Sequence, residues 1–338
     1  MTPAARNGWI DVLRALSALA VGLFHFNTVP STLPPGTIAQ GWRNLWSHGH
    51  WGVGVFFALS GYCLFPGWSR AVGGLDFLRR RARRIFPPYW SSLLLIALLA
   101  LGVKLVTGVN DVAKLPSNAG AVAATVLLMT DPVTAIPTIN WVYWTLSGIV
   151  AFYLLTALPL LASRTHPLPI LVALHGFLCL GDFLFHPAPI GPLFFVRTWP
   201  VFGLGLALAV WQRQRRSGTV MLVISLLHAT WLIRSDADSR HYLLVGVVTV
   251  ALLALTHAWP FPSWLRPLAH IGEFSYSLYL VHVPLGVYLF MRLLPAQSPT
   301  ALAHIVGQLL LLGATVAAAR VFYLVAERPF QSRGRLAG

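Results

Sequence analysis

Three residues in the first long apolar run, Asp11, Arg14 and His25, carry side chains able to move a proton or hold an anion. At about 100° per residue, the step from Arg14 to His25 returns to within roughly 20° of the same helix face, and Asp11 lies one turn before Arg14. All three therefore line one stripe, with His25 about 16 Å further along the axis than Arg14. Charged groups inside a membrane span cost about 2.5 to 3.5 kcal/mol each on insertion scales, so they mark either function or a paired contact. Asp11 and Arg14 can neutralise each other at i, i+3. His25 has no such local partner: it is either a bundle histidine held by one hydrogen bond or an imidazole that acts as base or nucleophile.

A second constellation is the run Arg79, Arg80, Arg81, Arg83 and Arg84, followed by Ile85-Phe86-Pro87-Pro88. Its plain reading is a topology signal with lipid head-group contacts, worth about 1 kcal/mol per basic residue. Its functional reading is an anion site, because arginine forks fit phosphate bidentately; Arg81 and Arg84 present to one side if the segment is helical. A third is His282, at the end of Ser275-Tyr276-Ser277-Leu278-Tyr279-Leu280-Val281, with Pro284 beyond it to bend the helix. It is a bundle hydrogen bond or part of a polar path, on which Ser60 and Trp144 in neighbouring apolar segments are further stations. The small residues Gly52, Gly54, Ser60 and Gly61 also suit close helix approach. No zinc-spaced cysteine set, phosphate-binding glycine loop or dinucleotide fingerprint is present. No metal site is expected.

The elements that must position these groups follow from composition. The 338-residue chain is 57% hydrophobic and only 10% charged, where a soluble domain carries about 25% charge. Mean hydropathy is +0.70. The formal charge of +15 is then read as a basic membrane face rather than as nucleic-acid binding. Cys63 and Cys179 both lie in apolar runs, and no disulfide framework is implied. Ten runs approach the roughly 20 residues needed to cross a hydrocarbon core. They centre on 9–29, 50–66, 85–107, 139–163, 168–187, 193–211, 218–234, 241–258, 271–293 and 300–326. The segment 119–130 is too short and is read as re-entrant or interfacial. With ten spans, the arginine run, Arg213, Arg215 and Arg216, and the tail arginines Arg328, Arg333 and Arg335 all face the cytoplasm, as do both termini. The expected architecture is an all-α polytopic helical bundle forming a single membrane domain.

Taken in order, these segments resemble the membrane-bound acyltransferase family 3, bacterial O-acyltransferases of sugars, peptidoglycan and macrolides. Gly8-Trp9-Ile10-Asp11-Val12-Leu13-Arg14 is similar to the family's opening, which is followed by a late histidine, here His25. Phe56-Phe57-Ala58-Leu59-Ser60-Gly61, Arg81-Ala82-Arg83-Arg84-Ile85-Phe86-Pro87, Ser275 to His282, and Glu327-Arg328-Pro329-Phe330 resemble four further family elements. Trp144-Thr145-Leu146-Ser147-Gly148-Ile149 looks like a fifth, with Ile149 where the family has glutamate; Glu273 and Asp182 are the carboxylates that could replace it. The chain resembles the stand-alone form, without an extracytoplasmic hydrolase-like domain.

The resemblance implies transfer of a short acyl group, acetyl above all, from acyl-coenzyme A to a hydroxyl of a sugar or glycan. Acyl-coenzyme A is then a donor substrate and no cofactor is permanently bound. His25, Arg14 and Asp11 become the catalytic set, and Arg14, Arg80, Arg81 and Arg84 the contacts for the donor's phosphates. The expected location is the bacterial inner membrane. The rival reading from another class is a transporter or flippase, against which the missing inverted repeat counts. A third is a catalytically silent glycan-binding relative, prompted by Ile149.

Overall fold

The computed structural model describes residues 7–28, 37–108, 112–186, 191–235, 237–256, 258–293 and 300–331, and the regular elements among them are helical. Arg333 and Arg335 lie outside the described residues. In chain order the helices are α1 (Gly8–Thr28), α2 (Thr37–Trp46), α3 (Gly52–Trp68), α4 (Gly74–Thr107), α5 (Ala119–Val126), α6 (Trp144–Ala162), α7 (Pro167–Phe185), α8 (Phe195–Arg213), α9 (Arg215–Ser235) and α10 (Ala237–Thr256). They continue with α11 (Arg266–Glu273), α12 (Ser275–Val281), α13 (Ala301–Phe322) and α14 (Arg328–Gln331). π-Helical turns at His282–Val287 and Tyr323–Glu327 extend α12 and α13.

Seven helical segments among the described residues are long and apolar enough to cross a membrane, and α11 with α12, bent by 49°, makes an eighth if the pair is one span. The expected segments 193–211 and 241–258 are helical as α8 and α10, but neither belongs to the seven. The apolar part of α10 is short, from Arg240 to Thr256. Helix α8 is buried without interruption from Trp199 to Val210. A helix wrapped by protein need not be as apolar as one facing lipid, which is why its glycines and alanines suffice. Segment 119–130 holds only the eight-residue α5, about 12 Å of helix.

Elsewhere the outer faces are apolar. Leu94, Leu98, Leu101 and Leu105, spaced by one turn along α4, are all more than half exposed. Exposure on this scale is tolerated where the surroundings are hydrocarbon. Helix α4 is also longer than a span. Its 34 residues cover about 51 Å, so the arginine run forms its first turns and the segment from Ile85 onward is the apolar part.

The contacts divide the chain into two units. The first comprises residues 1–52, 83–115 and 261–338, and the second 53–82 and 116–260. In the first, α1 is packed by α11, α12 and the π turn after it. In the second, α8 is the centre, and Phe152, Phe202, Trp199 and Phe57 form its aromatic core, with Phe152 and Phe202 4.4 Å apart. Here Gly61 has the packing role its sequence context suggests. A Cβ on Gly61 would overlap the Phe202 carbonyl, and one on Gly205 the Ala58 carbonyl, so α3 and α8 touch backbone to backbone. Gly205→Val is expected to destabilise the protein by about 3 kcal/mol or more. Gly181→Ala, where nothing lies within 4 Å of the added carbon, should be neutral or slightly stabilising. Thermal stability in detergent, followed by size exclusion, distinguishes the two.

Candidate active site

The stripe on α1 faces α11, α12 and the π turn that follows. Asp11 is 3% exposed and forms an ion pair with Arg14 at 3.6 Å. The backbone of α11 lies directly over Asp11, because Gly272 presents no side chain there. Further along the same face, the ring of His25 lies 5.2 Å from that of His282, with the planes 35° apart. Two of the histidines singled out from sequence are thus brought together from positions 257 residues apart.

The break between α11 and α12 explains a residue that sequence reasoning placed only in a terminal motif. Phe274 interrupts the helix, so the first N–H groups of α12 lack helical partners. The carboxylate of Glu327, only 2% exposed, accepts from Ser277 N at 3.1 Å and from the Ser277 hydroxyl. Its other oxygen accepts from Gln331. Arg84 and Arg14 both act on it electrostatically. The Ser-Tyr-Ser helix thus contacts this carboxylate directly, and the opening Asp-x-x-Arg and the arginine run each place one cation within its electrostatic reach. Tyr276 adds a further tie, its hydroxyl donating to the Ile85 carbonyl at 2.9 Å. The signal available in sequence was scarcity, since Glu327 is one of two glutamates in the chain.

The arginines separate in role. Arg84 is exposed and acts electrostatically on Glu327. Arg81, three residues earlier in the same helix, is half-buried over the rings of Phe77 and Tyr153 at 5.2 and 5.3 Å, and donates to the Leu64 carbonyl at 3.1 Å. Arg80 turns to Asp76, with Nε 3.0 Å from Oδ1, on an exposed surface. Of the expected polar path, His282 joins His25. Ser60 stands one turn beyond Phe57, against whose ring Trp144 packs edge-on at 5.9 Å. Ile149 is half-buried in α6.

The two carboxylates considered as replacements for a glutamate at 149 have other neighbours. Glu273 lies 3.2 Å from His270. Asp182, fully buried, lies 3.0 Å from His228 Nε2, although the pair is not aligned as a hydrogen bond. Among the described residues no group of three or more His, Cys, Asp or Glu is arranged to hold a metal ion. Glu327→Leu, which strands the Ser277 donors, is expected to cost about 1 to 3 kcal/mol of stability. Glu327→Gln, which keeps one acceptor oxygen, should cost less; thermal unfolding in detergent measures both.

Comparison with known proteins gives one family. The model of an acyltransferase domain, family 3, matches residues 7–324. No curated protein and no solved structure matches the chain. The matched region contains Asp11, Arg14, His25, Arg84, Ser277 and His282, the groups the fold gathers around α1. With its apolar helices, the chain is a multi-pass membrane acyltransferase, and it belongs to acyltransferase family 3.

Proposed function

We propose that this protein is an O-acyltransferase that moves a short acyl group, acetyl in the simplest case, from acyl-coenzyme A to a hydroxyl of a sugar, surface polysaccharide or glycosylated small molecule. The observation that carries this reading is the arrangement along α1. Arg14 and Arg84 both act electrostatically on Glu327, and the His25 and His282 rings lie 5.2 Å apart, about 16 Å further along the helix than Arg14. Coenzyme A has a polyanionic head joined to its thioester by a long arm, so a site for it needs cations and a reacting group set apart by such a distance.

In this mechanism Arg84, exposed at the start of the apolar part of α4, and Arg14 take the phosphates through charge-assisted hydrogen bonds. Asp11 holds Arg14 in place meanwhile. Arg80 and Arg81 lie on the same helix; Arg81's contacts suit it to orienting that segment, and Arg80 would exchange Asp76 for a phosphate. His25 takes the proton of the acceptor hydroxyl as its oxygen attacks the thioester carbonyl. A carbon–oxygen bond forms, the carbon–sulfur bond breaks, and the thiolate recovers the proton. The reaction as written needs no resident cofactor. If α8 and α10 also cross the membrane, there are ten spans with both termini cytoplasmic, and the basic segments share the cytoplasmic side. That orientation suits a bacterial inner membrane, where a cytosolic donor can reach glycan acceptors.

A second reading, a glycan-binding relative without turnover, is favoured by Ile149 alone. One assay separates the two: transfer of label from radiolabelled acetyl-coenzyme A to glycans in membrane vesicles containing the protein. The wild type should transfer label, and His25→Ala and Arg14→Ala should lower transfer by about 100-fold or more with folded protein retained. Turnover retained in His25→Ala refutes the base assignment. Label that appears only after Ile149→Glu establishes the silent reading instead.

A further inference from the structure

His282 sits where the last α-helical turn of α12 widens into the π-helical segment His282–Val287, a local feature that recurs at functional sites. Its side chain is 2% exposed, and Nδ1 lies 2.7 Å from the carbonyl oxygen of Tyr279. A carbonyl oxygen only accepts, so Nδ1 carries the hydrogen and the neutral ring keeps its lone pair on Nε2. Nε2 is enclosed and has no hydrogen-bond partner among the described residues. A buried acceptor without a donor is costly, and such groups call for a functional explanation. Packing alone would be served as well by leucine or phenylalanine, without that cost.

The ring beside it is His25, with centroids 5.2 Å apart. An N–H···N bond of about 2.9 Å between two imidazoles sets their centroids about 5 Å apart. The distance is therefore already right, and what is missing is the orientation of the rings. Backbone packing holds the approach: a Cβ on Gly286, one turn beyond His282, would overlap the ring of Phe26, the residue after His25. His50 of the short helix Gly49–Trp51 contacts Phe24 at 4.8 Å between rings and also acts electrostatically on His25.

We propose that His282 is the positioning residue through which His25 works. When His25 takes the proton of the acceptor hydroxyl on one nitrogen, the N–H that its other nitrogen already carries becomes a charged donor, and Nε2 of His282 accepts a hydrogen bond from it. The lone pair unpaired in the resting site is engaged by a charge-assisted hydrogen bond as the transition state forms and the His25 ring becomes cationic, so the contact lowers the barrier without tightening substrate binding. The proton passes from hydroxyl oxygen to His25 and then to the departing sulfur; His282 neither gains nor loses one. This inference rests on the acyl transfer proposed above, with His25 as its base.

Two polar substitutions separate the two nitrogens. His282→Asn keeps a donor near the Nδ1 position and lacks an acceptor at Nε2, whereas His282→Gln places a carboxamide oxygen near Nε2. The vesicle assay with radiolabelled acetyl-coenzyme A is run on these, His25→Ala and the double variant His25→Ala/His282→Asn, at equal amounts of folded protein. His282→Asn should lose about 100-fold in kcat with KM within about twofold of wild type, and His282→Gln should stay within about tenfold of wild-type kcat. The double variant should be no slower than His25→Ala. Equal rates for the Asn and Gln variants, or a loss confined to KM, overturn the proposal. If His25→Ala is inactive while His282→Asn matches wild type, only the role of His282 falls; if His25→Ala is fully active, or wild type transfers nothing, the underlying reading falls with it.

Discussion

A helix broken inside an apolar environment leaves backbone N–H groups in need of acceptors, and in this protein the Glu327 carboxylate takes that of Ser277. The break at Phe274 frees the first turn of α12, and Ser277 donates to Glu327 from both its backbone and its hydroxyl. A buried carboxylate in turn needs compensating charge, because leaving it unpaired would cost several kcal/mol. Arg14 and Arg84 supply the charge. One unmet backbone requirement thus ties the end of α13 to α12, at a carboxylate on which Arg14 of α1 and Arg84 of α4 act electrostatically. The cations proposed for the donor's phosphates are fixed by a constraint that exists before any ligand arrives.

Helix α1 then acts as a ruler. Its rise sets the separation between the charged level and the imidazole level, and its face is held against α12 and the following π turn by residues with no side chain to spare. Rigid spacing of this kind suits a substrate with charge at one end and a reactive carbonyl at the other. π-Helical geometry at His282–Val287 widens the helix just where the second histidine is presented. The same helix that carries the motif residues is therefore also tightly constrained by packing on that face. Substitutions along its buried face will disturb geometry and chemistry together.

The second unit answers a different demand. Helix α8 is enclosed by its neighbours, and polar groups there are absorbed locally: His175 accepts from Trp199 Nε1 at 3.2 Å, and its other nitrogen lies 3.0 Å from the Ser225 hydroxyl. That network accounts for a buried histidine that the sequence left unassigned. Arg81 belongs to the same kind of solution, since its guanidinium is covered by aromatic rings and a helix-end carbonyl.

The class of the molecule was legible from composition, because hydrocarbon surroundings leave no use for charge and require helices of a certain length. The stripe of Asp11, Arg14 and His25 was legible too, since helical periodicity alone puts those positions on one face. Span number was less so: α8 is protected by protein rather than lipid, and local hydropathy cannot tell which neighbour a helix will have. Arg81 and Arg84 looked equivalent in sequence, three residues apart, yet one is sheathed by Phe77 and Tyr153 while the other is exposed and acts electrostatically on Glu327. Only tertiary structure decided that division, the meeting of His25 with His282, and the importance of Glu327. Each depends on which residue from a distant part of the chain fills the space opposite, and a one-dimensional pattern carries no information on that until packing chooses it.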